Sequence, residues 1–143
     1  MTDLADIIQR LDIGPRMSMG VRHKDTVYFA VTPLAPYDAD LSAAEQCRQL
    51  LQKADARLQA LGSHRAKLLF TAIILADMRH FDEVNQVWDG WIDAAAPPAR
   101  ACFQAGLTQP SLKREMIMIA AAGSRSRNAQ RACVASSTIC RPS

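Results

Sequence analysis

The chain has 143 residues, 49% of them hydrophobic and 22% charged, with a formal net charge of +3, which is the composition of one ordinary globular domain. The positive charge is confined to the end of the chain, because residues 1–123 carry 13 basic against 14 acidic side chains and residues 124–143 carry four arginines and no acid. A near-neutral domain argues against a nucleic-acid-binding surface, and apolar runs far shorter than the ~20 residues of a membrane helix argue against a membrane span.

The start of the chain and its cysteines indicate the compartment. Residues 1–6 are acidic and lack the basic and apolar regions of a secretory signal, so we expect a cytoplasmic protein. The cysteines show no CxxC spacing and the histidines are scattered; they are Cys47, Cys102, Cys133, Cys140, His23, His64 and His80. This pattern indicates reduced thiols rather than a zinc site or a disulfide framework. Since the GxGxxG, Walker A and HExxH motifs are also absent, we expect no metal and no cofactor.

The first predicted elements are two short strands, at residues 17–23 and 26–32. The Lys24-Asp25 pair between them has the length of a tight turn, so the strands are predicted to form a β-hairpin. Pro33 and Pro36 end the second strand, because proline has no backbone N–H to donate to a sheet.

A long helix is predicted to begin after Ser42. Ser42 and Glu45 have the spacing of a capping box, in which each side chain accepts a hydrogen bond from a backbone N–H of the first turn. Gly62 is the residue type that ends helices. Between them, apolar residues recur every three or four positions along one face. These residues are Cys47, Leu50, Leu51, Ala54, Leu58 and Leu61.

A second helix and three further strands complete the predicted domain. Residues 67–75 form a nearly continuous apolar run, typical of a central strand buried on both faces. A helix over residues 80–95 has one apolar face and ends before Pro97-Pro98. Two final strands are predicted near residues 100–107 and 113–121. The order ββ-α-β-α-ββ indicates an α+β fold, with a single mixed sheet and both helices on one face.

The last predicted strand indicates an oligomer. Met116 and Met118 point to one face of the sheet and Ile117 and Ile119 to the other, because successive side chains alternate along a strand. Helices on one side can cover only one of these apolar faces. Another subunit is the simplest cover for the second.

Residues 124–143 are interpreted as a separate C-terminal tail. They are rich in serine and arginine, have few large apolar side chains and show no helical or strand period. Such a segment cannot offset its own ordering entropy. We therefore predict a domain over residues 1–123, followed by a basic, disordered extension.

Arg100 is the first candidate functional residue. It lies at the start of a predicted strand among apolar neighbours, in Ala99-Arg100-Ala101-Cys102. A guanidinium keeps its charge at any ordinary pH and can bind a carboxylate with two parallel hydrogen bonds. On composition alone, a surface or structural ion pair is the commoner role of such an arginine, so both interpretations stay open.

Glu115 and Cys102 are weaker candidates on the same grounds. Glu115 begins the apolar run of the last strand, where a carboxylate could pass a proton to or from water; a solvated residue at a strand end is the plain alternative. Cys102 alternates to the same side of its strand as Arg100 and Gln104. No base stands beside it in the sequence, so a small buried residue is a better interpretation than a nucleophile.

Taken together, these segments resemble the RidA/YjgF family over about residues 7–122. The most specific pieces, Pro98-Ala99-Arg100-Ala101-Cys102 and Lys113-Arg114-Glu115-Met116, are similar to the family's PAR-x-C and K-x-E signature. The other matches, in family order, are Gly14-Pro15, Gln46, Leu58 with Gly62, and Asp77-Met78 with Phe81, Asn85, Val87 and Trp88. Each fragment is short, but the ordered set across a chain of this length is specific.

This resemblance implies a chorismate-mutase-like fold and a homotrimer with clefts between its subunits. It also implies cofactor-free hydrolysis of reactive enamine and imine acids to 2-oxo acids and ammonia, the activity of a 2-iminobutanoate/2-iminopropanoate deaminase. By this resemblance, Arg100 would bind the substrate carboxylate, Cys102 would contribute its backbone, and Glu115 would orient or activate the attacking water. The small imino or 2-oxo acid would then lie at a subunit interface.

Two positions depart from the family pattern near the expected cleft. Arg16 follows Gly14-Pro15 where active members have a tyrosine, and Ala30-Val31-Thr32 replaces a small-Gly-Gln step. A second cation at Arg16 would favour a more acidic ligand, and Val31 would narrow a place where glycine lets a ligand approach the backbone. Arg16, Ala30 and Val31 are therefore included among the candidate substrate-binding residues.

These departures keep a second hypothesis open, a non-catalytic trimer that binds a small carboxylate metabolite or a protein partner. A third hypothesis, RNA cleavage or an effect on translation, gains little from the sequence, because the domain is near neutral and has no paired catalytic histidines. Neither a membrane nor a nucleic acid is expected as a partner.

Overall fold

The computed structural model describes residues 7–123. Its strands and α-helices, in chain order, are β1 (Ile8–Ile13), β2 (Ser18–His23), β3 (Thr26–Val31), α1 (Ala43–Ala60), β4 (Leu68–Leu75), α2 (Phe81–Trp91), β5 (Ala99–Gln104) and β6 (Arg114–Ala121). Short 3-10 turns at Arg65–Lys67 and Met78–His80 precede β4 and α2. Within the described residues, no helix is long and apolar enough to cross a membrane.

All six strands belong to one sheet, in the order β1-β2-β3-β6-β4-β5. Neighbouring strands are antiparallel except β4 and β5, which are parallel. Parallel strands need a crossover connection, and α2 lies in it. The predicted α+β fold, with a single mixed sheet and two helices, is therefore confirmed. The last strand, β6, lies in the middle of the sheet, whereas β1 and β5 are its edges.

The structure adds one strand, β1, to the predicted order ββ-α-β-α-ββ. β1 pairs with β2, and Leu11 is its one buried residue. Asp12 interrupts regular strand geometry with a φ of 48°, a region that few non-glycine residues adopt. An exposed edge strand with a single buried side chain has no apolar period, so sequence patterning could not reveal it.

The predicted hairpin and long helix are both present. β2 and β3 pair across the Lys24-Asp25 turn, where Lys24 has a φ of 55°. Ser42 accepts a hydrogen bond from the Glu45 N–H, and Glu45 accepts one from the Ser42 N–H, each at 3.1 Å. At the other end of α1, Gly62 has a φ of 81°, which side chains other than that of glycine rarely tolerate.

Two element ends differ from the predicted bounds. α2 ends at Trp91 rather than near residue 95, because Ile92 turns to an extended backbone conformation with a ψ of 147°. β5 ends at Gln104 rather than near residue 107. Both differences are a few residues long, and element ends are the least reliable part of a sequence-based prediction.

The core lies between the two helices and one face of the sheet. Met116 and Met118 are 0% exposed beneath them, with Val84 and Trp88 of α2 in the same cluster. On the other face, Ile117 is 40% exposed. The predicted alternation along β6 is confirmed. The predicted tail, residues 124–143, lies outside the described residues.

Candidate active site

Arg100 lies near the start of the edge strand β5, and its side chain is exposed. It is opposite the buried Thr71 of β4, so it projects to the helix-covered side of the sheet. Its guanidinium carbon is 5.7 Å from the centroid of the Trp88 ring, a cation–π arrangement. Within the described part of the chain no carboxylate pairs with it, so Arg100 is held in place and still available to an anion.

The backbone of Cys102 is available at the free edge of β5. The Ala105 N–H donates to the Leu75 carbonyl oxygen of β4 at 3.1 Å. Because backbone groups alternate between the two sides of a strand, the N–H groups of Arg100, Cys102 and Gln104 point away from β4. In the described residues no strand pairs with that edge. A carboxylate bound by Arg100 could therefore also accept a hydrogen bond from the Cys102 N–H.

The Cys102 side chain points inward, away from this edge. It is half-buried and packs against the core. Burial raises the pKa of the Cys102 thiol, although Arg100 and Arg114 act in the opposite direction. A protonated, inward-pointing thiol is a poor nucleophile. The Cys102 side chain therefore packs as a small, partly buried residue, and a role for its backbone stays a prediction.

Glu115 lies on the uncovered face of the sheet. It is half-buried in β6, opposite Ile74 of β4 and next to the exposed Ile117. No hydrogen bond or ion pair occupies its carboxylate within the described residues. It is therefore a carboxylate with apolar neighbours and without a partner in the described residues.

The start of β6 is fixed by a buried polar clamp formed by Gln46 and Lys113. Gln46 Nε2 donates to the Asp38 and Ser111 carbonyl oxygens at 3.0 and 2.9 Å, and its Oε1 accepts from the Lys113 N–H at 3.0 Å. Lys113 Nζ donates to the Leu41 carbonyl oxygen at 2.5 Å. Because Glu115 follows two residues later, this clamp sets its position. Gln46 and Lys113 both match the family pattern, but the sequence could not show that they contact each other, because they are 67 positions apart in the chain.

Arg100 and Glu115 do not meet within one protomer. Arg100 is opposite Thr71 and Glu115 is opposite Ile74, on two different sides of β4. They lie two strands and three residues apart, about 14 Å between Cα atoms by strand geometry, and they point to opposite faces. The two residues that carry the candidate chemistry could come together only between copies of the chain.

The remaining candidates lie on the side of β6 away from β5, in β3 and in the loop between β1 and β2. Arg16 is exposed in the loop between β1 and β2, and Ala30 is half-buried on the uncovered face of β3. Val31 is 1% exposed in the core, so its side chain cannot line a ligand site. The Ala30 carbonyl oxygen accepts a hydrogen bond from Arg57 Nη1 at 2.5 Å. Arg57 was not among the candidates.

Arg114 was not singled out as a candidate either, although strand alternation could have found it. It shares a face with Met116 and Met118, so the same rule that buries the methionines buries this arginine. It is 0% exposed, and burial lowers the pKa of its guanidinium. No group of three or more His, Cys, Asp or Glu residues in the described part of the chain could hold a metal ion.

Comparison with known proteins gives one consistent family. The family model described as Endoribonuclease L-PSP matches residues 8–122. The RutC family protein YoaB of Escherichia coli is 37% identical over 114 residues, which is 80% of this chain and 97% of that protein. A RutC family protein of Haemophilus influenzae is 35% identical over 113 residues, with coverages of 79% and 97%.

Solved structures have the same fold. A member of the YjgF protein family from Neisseria meningitidis superimposes with a TM-score of 0.77 at 31% identity, covering 85% of this chain and 99% of that chain. An uncharacterized protein from Pseudomonas aeruginosa gives a TM-score of 0.76 at 34% identity, with coverages of 82% and 100%. The matched region spans the whole described domain.

Proposed function

The chain belongs to the Endoribonuclease L-PSP family, the YjgF/RidA group, and on that premise we propose that it hydrolyses reactive 2-imino and enamine acids to 2-oxo acids and ammonia. One observation carries the proposal. Arg100 is an exposed guanidinium without an anionic partner in the described residues, beside the outward N–H of Cys102.

These two donors suit a carboxylate. The guanidinium supplies a planar pair of N–H groups, and the backbone N–H supplies a third donor whose direction the strand fixes. Trp88 restricts the guanidinium from one side, so less side-chain freedom is lost when the acid binds. A bound 2-imino acid would therefore have its C2 atom, next to the carboxylate, in a fixed position.

The reaction needs a water molecule and a proton carrier. Water adds to C2 of the C=N bond while the nitrogen takes up a proton, which gives a tetrahedral amino alcohol. The C–N bond then breaks, ammonia leaves with the bonding electron pair, and loss of the hydroxyl proton leaves the 2-oxo acid. Glu115 would accept the proton of the attacking water and return one to the departing nitrogen. No electron acceptor or metal is needed, and positioning supplies most of the acceleration.

The site is proposed to lie between subunits of a homotrimer. The uncovered face of the sheet exposes apolar side chains that a second copy could bury, among them Tyr28, Phe103 and Ile117, each at least 40% exposed. One subunit would supply Arg100 and the Cys102 N–H at the free edge of β5. A neighbouring copy would supply Glu115, with Arg16 and Ala30 on the same side of the cleft.

The proposal is tested by generating 2-iminopropanoate with an amino-acid oxidase and following release of the 2-oxo acid. The intact protein should accelerate hydrolysis, and Arg100→Ala should lower kcat/KM about 100-fold, because a bidentate charged hydrogen bond is lost. Arg79→Ala is the matched control, since Arg79 is also an exposed arginine but pairs with Asp77 in a turn. No acceleration by the intact protein, or an unchanged rate for Arg100→Ala, removes the proposal.

A specific observation supports one alternative, a trimer that binds a small carboxylate without turnover. Arg16 is exposed in the loop between β1 and β2, and a second cation in the cleft would favour a ligand with two acidic groups. Calorimetry that shows tight binding of a dicarboxylate, in a protein that hydrolyses no imine, would favour this alternative.

A further inference from the structure

Arg114 is a buried cation to which no oxygen atom of the described residues accepts a hydrogen bond. It is 0% exposed, and its Nε, Nη1 and Nη2 atoms find no acceptor of suitable geometry in the described part of the chain. The other buried arginine of the described residues, Arg22, donates to the carbonyl oxygens of Lys24, Leu61 and Gly123. Arg114 thus differs from an ordinary structural arginine, whose burial is offset by hydrogen bonds.

The groups around Arg114 in the described residues do not form an ion pair with it. The Cys47 thiol of α1 lies against the guanidinium, but sulfur is a weak acceptor. Burial raises the pKa of Cys47, against the opposing effects of Arg114 and Arg48, so the thiol is uncharged at neutral pH. Glu83 of α2 attracts Arg114, but its Oε1 is engaged at 2.8 Å from His80 Nδ1.

The field of Arg114 reaches the edge strand that carries the candidate carboxylate site. Arg114 is opposite Leu75 and Cys102 is opposite Ile73, so both project to the helix-covered side of the sheet, two strands apart. Arg114 and Arg100 each lower the pKa of the Cys102 thiol, against the stronger raising effect of burial. The space between is filled with protein, so this charge is screened less than a surface charge.

We propose that Arg114 is a positioning residue that strengthens carboxylate binding at Arg100 and the Cys102 N–H through its electric field, without touching the substrate. The inference rests on the proposed function in one respect, that a carboxylate binds at this edge. It predicts opposite signs for stability and binding. Removal of the charge should stabilise the fold, because a buried charge without an ionic partner is no longer present. The same change should weaken binding of the carboxylate. A purely structural Arg114 would instead destabilise the protein when replaced, and would leave anion affinity unchanged.

A pair of variants separates charge from volume. Arg114→Met keeps the length and removes the charge, whereas Arg114→Lys keeps a cation that burial makes easier to deprotonate, so the titrations are run at mildly acidic pH. In calorimetric titrations with 2-oxobutanoate, Arg114→Met should bind about fivefold more weakly, and Arg114→Lys should restore most of the affinity. The uncharged amide of the same acid should bind both variants equally. In turnover, KM should rise more than kcat falls. Equal affinity of Arg114→Met and the parent protein for the acid overturns the inference.

A second readout does not depend on activity. The alkylation rate of Cys102 is followed against pH by mass spectrometry of its peptide, on the full chain. Arg114→Met should move this titration to higher pH, because one of the two cations that lower the pKa of this thiol is gone. If the parent protein binds no 2-oxo acid, the proposed function fails. The titration would still show whether the charge of Arg114 acts on the Cys102 thiol. An unchanged titration overturns the inference.

A third variant covers the case in which Arg114→Met does not fold. Glu83→Gln removes the carboxylate that opposes the field of Arg114 from α2. It should tighten binding of 2-oxobutanoate and move the Cys102 titration to lower pH. Absence of both shifts contradicts the proposed field.

Discussion

The two faces of the sheet differ in what covers them. On one face, α1 and α2 bury the β6 side chains, and Met116 and Met118 are 0% exposed. On the other face, Ile117 in the same strand is 40% exposed and Tyr28 in the neighbouring strand is 45% exposed. The first face holds the fold together, whereas the second is an apolar surface that the described chain leaves uncovered. Arg100 projects on the covered side and Glu115 on the uncovered side, so the candidate chemistry depends on both.

Neighbouring residues of β6 give the largest expected contrast. Met118→Ala should lower the free energy of unfolding by about 3 kcal/mol, because it opens a cavity in the core. Ile117→Ala should cost about 1 kcal/mol or less, since this side chain is only partly buried. Loss of the Ile117 side chain should instead weaken the association between copies of the chain. Chemical denaturation at several protein concentrations, with sedimentation, separates the two effects; equal costs for both variants would contradict the assignment of faces.

The covered face also contains a residue whose removal should stabilise the protein. Arg114→Met should raise the free energy of unfolding by about 2 kcal/mol, because a hydrophobic side chain of similar size replaces an unpaired buried charge. The matched control is Arg22→Met, which should be destabilising, because three carbonyl oxygens lose their donor. A loss of stability for Arg114→Met would show that the guanidinium has an acceptor after all.

Much of this contrast could be predicted from residue patterns. The Ser42 capping box, the Lys24-Asp25 turn and the alternation of Met118 with Ile117 are local, and each rule was confirmed in the structure. β1 could not be predicted, because an edge strand with one buried residue has no period. The separation of Arg100 from Glu115 was also out of reach, because it depends on the position of β6 between β3 and β4, a long-range pairing that no local pattern specifies.

A smaller effect concerns stability at alkaline pH. Burial raises the pKa of Cys47 above its ordinary value of 9.0. Between pH 9.0 and the higher folded-state pKa, the folded protein therefore keeps the thiol proton of Cys47 while the unfolded chain loses it. The resulting stabilisation is complete below pH 9 and is lost as pH rises toward the folded-state pKa. Denaturation at pH 8 and pH 10 should show a steeper loss for the parent protein than for Cys47→Ala. An equal loss in both would exclude Cys47 as the cause.

The shared site is tested most directly by mixing two inactive variants. Arg100→Ala and Glu115→Gln are unfolded together, refolded as mixed copies of the proposed trimer and assayed for hydrolysis of 2-iminopropanoate. If one copy supplies the guanidinium and its neighbour the carboxylate, random assembly should restore about a quarter of the parent rate. The same variants refolded separately should stay inactive. Mixed trimers without activity, from a parent protein that refolds to full activity, would contradict a site built between subunits.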